Sequence, residues 1–71
     1  MKLTQQQFET YLDKVKNRPH YIRHGQALMN ELFVVSPEIY SLVTDRVDPY
    51  YVDTRIPAFL DELSKHIDGN P

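Results

Sequence analysis

The fold turns on YIRHGQALMNEL, residues 21–32. Ile22, Gly25, Met29 and Leu32 recur three or four apart, so on a helix they form one line, with Tyr21, Leu28 and Val35 beside it. A strand would need strict alternation of apolar and polar residues, and the stretch shows none. Phe33 and Val34 widen the apolar surface, which predicts a central helix touching neighbours on more than one side. The helix is expected to open near Pro19, whose missing N–H has no partner in a first turn anyway. A glycine in mid-helix costs about 1 kcal/mol relative to alanine. Its place on the buried line therefore predicts that another helix, or the segment around Tyr50 and Tyr51, approaches Gly25 closely.

The tripeptide Arg23-His24-Gly25 also opens the catalytic motif of the histidine phosphatases, in which the histidine accepts a phosphoryl group. That motif follows a β-strand, and its pocket needs further arginines, a second histidine and a much larger α/β domain. No later segment is expected to make a parallel sheet with it, so the tripeptide is read as one turn of a helix.

Outward from this stretch, both flanks are helical as well. Thr4 and Gln7 have the form of a capping box, Leu3 and Phe8 that of a hydrophobic staple. Phe8, Tyr11, Leu12 and Val15 continue as a single apolar stripe until Asn17-Arg18-Pro19 ends the first helix. Ser36-Pro37-Glu38 is a stop and start: serine as N-cap, proline at N1, an acid at the positive end of the helix dipole. The short third helix is expected to turn Ile39, Leu42 and Val43 inward, with Tyr40 flanking. Residues 45–52 lack a helical period and form a loop with a turn at Asp48-Pro49, pinned by Val47, Tyr50, Tyr51 and Val52. The last helix is expected to open at Asp53 or Thr54, with Pro57 in its first turn. Ile56, Phe59, Leu60, Leu63 and Ile67 form its stripe, Lys65 and His66 its last turn, and Gly69 its left-handed stop. The expected fold is all-α: one compact bundle of four helices over residues 1–71, the third short, with a tyrosine-rich loop packed before the last.

Composition limits the function. With 71 residues the chain is one domain, burying roughly 60% of the surface its unfolded form exposes. Hydrophobic residues at 41% and charged residues at 25% are ordinary globular proportions, so wholesale disorder is not expected. Without cysteine there is neither disulfide nor thiolate to staple the core, which suits a reducing cytoplasm and makes a homodimer a further expectation. A net charge of -2 and a pI near 5.8 argue against a protein whose task is to coat nucleic acid. No apolar run approaches the ~20 residues that span a bilayer. MKLTQQQFET holds no apolar signal region, so no membrane or secretory role is expected.

Individual constellations carry little chemistry. His20 and His24 would share a helix face at chelating spacing, yet Tyr21 stands where a zincin motif needs glutamate, and His66 would complete a site only through tertiary folding. Asp61-Glu62 reads as a solvated face, and Ser36 as a cap. So small a core is not expected to hold a pocket of ligand-binding size. No catalytic, cofactor or metal residue is therefore assigned, and no enzyme is expected. The second and third helices are close enough for a helix-turn-helix, but the would-be recognition helix opens with Pro37-Glu38 and ends near Asp45, offering acid to the bases. The better lead is polar: Arg23, Gln26 and Asn30 on the second helix, facing Asp48, Tyr50, Tyr51, Asp53 and Arg55 in and after the loop. If the loop folds back, Arg23 pairs with Asp48 or Asp53, and the two amides satisfy loop backbone groups. Such a set is either a loop-fixing network or a recognition surface, since tyrosine and arginine are enriched at binding hot spots.

The pattern Arg23-x-Gly25-Gln26-x-x-x-Asn30-x-Leu32, then Pro37, Asp48-Pro49-Tyr50-Tyr51-x-Asp53-x-Arg55-Ile56 and Phe59-Leu60, resembles small helical proteins encoded by bacteriophages and prophages. The resemblance spans residues 23–63. No activity attaches to that group, so no catalytic residue is carried over. What it implies is a bacterial or phage setting and an accessory role. The expected function is a small non-enzymatic accessory or regulatory protein that binds another protein, of which inhibition of a host or defence protein is one form. The alternative, from a different class, is an atypical helical DNA-binding module.

Overall fold

Thr4 opens the first helix through the capping box. The Gln7 backbone N–H donates to Thr4 Oγ1 at 3.0 Å, and the Thr4 N–H donates to Gln7 Oε1 at 2.9 Å. The computed structural model describes residues 2–68. Its helices are α1 (Gln5–Lys16), α2 (His24–Val35), α3 (Pro37–Thr44) and α4 (Ile56–Ser64), with a 3-10 turn at Asp53–Arg55 leading into α4. The bundle-like, mostly helical globule anticipated from the periodicities is present. None of the described helices is long and apolar enough to cross a membrane.

The second helix starts later than Pro19, and one side chain explains why. Arg18 Nε donates to the Ile22 carbonyl at 2.8 Å and Nη1 to the Val15 carbonyl at 2.8 Å. The Ile22 N–H closes a turn on the Pro19 carbonyl at 3.0 Å. With its carbonyl turned to Arg18, Ile22 does not enter the helical ladder, Arg23 is extended as the N-cap, and α2 begins at His24. His20 therefore lies outside the helix, edge-on to Tyr21 at 5.9 Å, and the expected shared face with His24 does not form.

Ser36 caps α3 as its sequence predicts: the buried hydroxyl accepts from the Ile39 N–H at 3.2 Å, and Pro37 stands in the first turn. Ile39 and Val43 face inward, but Leu42 is exposed. An eight-residue helix has room for one narrow stripe, and the pair four apart defines it. At the other end of the fold α4 begins at Ile56, not at Asp53 or Thr54, because residues 53–55 wind more tightly first. Pro57 is in its first turn as expected.

The stripe of α4 stops short of Ile67. Lys65 and His66 follow the helix in turn geometry, donating to the Glu62 and Leu63 carbonyls. The His66 carbonyl then accepts from the Leu3 N–H at 2.9 Å. From that bond β2 (Ile67–Asp68) pairs in parallel with β1 (Leu3–Thr4), Leu3 opposite Ile67 and Thr4 opposite Asp68. Pairing with a segment at the far end of the sequence takes these residues out of the helix. Gly69, the expected helix stop, lies outside the described residues.

One core holds the elements together. Leu3, Tyr11, Val15, Leu28, Met29, Leu32, Ile39, Val43, Phe59 and Leu63 are buried in it, with Ile22, Val47, Tyr50 and Ile56 packed against it. A radius of gyration of 11.3 Å matches the about 11 Å expected for a compact chain of this length. The outer face of α2 is open, however. Phe33 is 54% and Val34 72% exposed, so α2 is central on its inner face and two flanks, not all round.

Candidate functional site

Gly25 fixes where the tyrosine loop lies. A Cβ at this position would overlap the Pro49 carbonyl oxygen, and would stand 3.0 Å from the Pro49 carbonyl carbon and 3.4 Å from the Tyr50 oxygen. The close approach that the glycine predicts is thus made by loop backbone, with Pro49 buried against α2. Within the loop, Asp48 Oδ1 accepts from the Tyr50 N–H at 2.9 Å, an Asx turn that starts the reversal. The Val52 N–H donates to the Pro49 carbonyl at 3.2 Å.

Two arginines tie the loop down from either side. Arg23 Nη2 donates to the Tyr51 carbonyl at 3.3 Å and lies 3.5 Å from Asp53 Oδ1. Arg55 Nη1 donates to the Asp48 carbonyl at 3.4 Å. Of the two acids expected for Arg23, Asp53 is the partner, while the Asp48 carboxylate serves the loop backbone. The pair is exposed on both sides, so it is worth at most about 1 kcal/mol. Burial of Pro49 and half-burial of Tyr50 hold the loop more than the charges do.

Arg23, Asp48, Tyr50, Tyr51, Asp53 and Arg55 are therefore one connected set. Gln26 and Asn30 are not part of it: among the described residues neither amide makes a hydrogen bond to the loop. The loop reached α2 at Gly25, on the inner side of the helix, and its backbone groups found partners in Arg23, Arg55 and Asp48. Gln26 is half-buried and Asn30 exposed.

The loop leaves its most prominent side chain outside. Tyr51 is 75% exposed although its backbone is held, and its ring meets Tyr50 edge-on at 4.6 Å between centroids. Tyr21, two residues before Arg23, is 74% exposed. Tyr50 packs against the core, so the expected pinning of the loop falls to the side chains of Val47, Pro49 and Tyr50, while those of Tyr51 and Val52 are exposed and take no part.

Asn30 belongs instead to a feature the sequence did not announce. An open groove of about 570 Å³ runs between the C-terminal end of α1 and α2, with Lys14, Arg18, Ile22, Ala27, Asn30 and Glu31 in its lining. A second, of about 420 Å³, lies beside it and shares Lys14. So small a core was expected to leave no pocket of ligand-binding size, yet these two concavities are of that size. Both are open seams on the surface, the first lined by the turn at residues 18–22 and the second by the N-terminal part of α1 and Val35. Arg18 was legible only as the residue before a helix-ending proline; no local pattern shows that its side chain shapes a groove. Among the described residues no three His, Asp or Glu side chains form a metal-binding group. Comparison with protein-family profiles, curated proteins and solved structures finds no match for this chain.

Proposed function

We propose that the chain is a non-enzymatic accessory or regulatory protein that acts by binding another protein through the tyrosine loop and the N-terminal end of α2. The observation that carries this reading is Tyr51, an exposed aromatic on a backbone fixed by the Arg23 hydrogen bond. Tyrosine and arginine are the residue types that dominate binding hot spots, and a tyrosine on a fixed backbone gives large contact area at small entropic cost. Tyr21 lies beside the same arginine in sequence, and Phe33 and Val34 add apolar area on the outer face of α2.

The resemblance to phage and prophage proteins supports a bacterial cytoplasm as the setting. A host or defence protein is then the partner class, and inhibition the concrete form of the role. The DNA-binding alternative draws no support from α3, whose exposed positions include Glu38, Leu42 and Asp45 beside its end.

The test uses the immobilised chain as bait in bacterial lysate, with Tyr51→Ala and Arg23→Ala baits alongside. A host protein retained by the parent bait and lost from both variants is the expected result. Both variants should keep the parent's urea midpoint within about 1 kcal/mol of stability, since the contacts they remove are exposed. Identical capture by parent and variants, or no capture above an unrelated bait, defeats the reading. Light scattering on the purified chain shows whether the bound protein is a second copy.

A further inference from the structure

The groove between α1 and α2 is lined by residues of 14–22 and 27–31 and by none of the tyrosine loop. Its volume of about 570 Å³ falls within the range of about 300–1,000 Å³ usual for ligand sites. Arg18 is half-buried in its wall and locked in place by the bonds from Nε and Nη1 to two backbone carbonyls. A guanidinium has five N–H donors, and here the Nη2 group has no partner among the described residues. Lys14, four residues earlier, is exposed and likewise forms no ion pair among the described residues. Two cations thus line the groove against one acid, Glu31, in a chain whose net charge is -2. Between the charges Pro19, Ile22 and Ala27 supply an apolar floor.

We propose that this groove binds an acidic, aliphatic peptide segment of a partner protein, its carboxylate lying against Lys14 and Arg18. The neighbouring aliphatic side chain covers Ile22 and Ala27. Asn30 and Glu31 offer donor and acceptor groups to the peptide backbone. A guanidinium already locked in place has little rotamer freedom left to lose on binding, which favours the complex. Phosphate or nucleic acid fits less well: a multiply charged ligand shares the lining with the acid Glu31 and leaves the apolar residues uncovered. The proposal rests on the protein-binding reading above and gives it a second contact point of stated chemistry.

The experiment titrates the whole 71-residue, 15N-labelled chain with two capped peptides, Leu-Glu-Leu-Glu and Leu-Gln-Leu-Gln, and follows backbone amide shifts. The acidic peptide should move amides of residues 14–22 and 27–31, with at least tenfold tighter binding than the neutral one. Lys14→Glu should abolish that preference, and Asn30→Asp should weaken binding of the acidic peptide. Both side chains are exposed and make no hydrogen bond among the described residues, so the variants should fold, which the spectrum itself reports. Equal response to the two peptides, no response, an unchanged Lys14→Glu, or shifts centred on Tyr50 and Tyr51 would overturn the proposal. Capture separates it from the broader reading. A Lys14→Glu bait that keeps a partner lost by Tyr51→Ala sinks the groove alone. Acidic-peptide binding without any captured protein keeps the groove and sinks the broader reading.

Discussion

Tyr11 ties α1 to α2 by donating its hydroxyl to the Leu28 carbonyl at 2.6 Å, inside the core. Burial, and secondarily the negative charge of Glu31, push its pKa well above the usual tyrosine value of about 10. The folded state therefore keeps a proton over a pH range in which the unfolded chain has lost it. This contribution to stability is complete below about pH 10 and drains away as pH rises beyond it. Tyr11→Phe should cost about 1 kcal/mol at neutral pH. Its urea midpoint should also fall less than the parent's between about pH 9 and pH 11, because the variant's unfolded chain has no hydroxyl at position 11 to ionise. At Gly25 the added methyl meets a backbone carbonyl, which cannot swing aside as a side-chain tip would. Gly25→Ala gains less than the ~1 kcal/mol of a helix interior, because Gly25 is the second residue of α2, and faces about 1–3 kcal/mol of overpacking. Net destabilisation is expected, with faster amide exchange at Tyr50 and Tyr51 as the loop lifts. This contact was legible from the sequence because a buried glycine on a helix needs a reason, although Gly25 stands in the first turn of α2 and not, as expected, in mid-helix. The roles of Gln26 and Asn30 were not: a spacing of four gives a shared face and says nothing of what lies across from it.

Boundaries set by a cap in the first turn were read correctly from the sequence, while those set by an arginine's choice of carbonyl, a tighter leading turn or a distant strand were not. The capping box of α1 and the Ser36-Pro37 start of α3 involve partners three residues apart. The start of α2 depends on which carbonyl the Arg18 side chain selects. The end of α4 depends on Leu3, at the opposite end of the sequence. Ser36→Ala removes a buried cap and should cost about 1 kcal/mol, read from the shift in urea midpoint. Leu3 has a larger part than the staple first assigned to it, since it is buried in the core while its backbone pairs with β2. Leu3→Ala should cost about 2–5 kcal/mol, as a central core position does. A loss below 1 kcal/mol would show that the pairing and the packing at this end are marginal.

At the scale of the molecule, four stripes and one loop predicted a helical bundle because each buried face recurs within a few residues. How much of α2 would stay uncovered was not predictable, since Phe33 and Val34 look the same in sequence whether or not a neighbour covers them. For a chain this size total stability is expected to be about 4–10 kcal/mol, so each of the losses above is a sizeable fraction of it. The parallel pairing of β1 with β2 has a mechanical consequence. Parallel strands place Lys2 at one end of the pair and the exit from Asp68 at the other. Tension applied between these points slides the strands along one another, so the bonds bear the load together. In an antiparallel pair the same pull would peel them apart one at a time. Tension between Lys2 and Asp68 thus meets this pair in shear, while a force entering through the exposed tyrosine loop would bypass it.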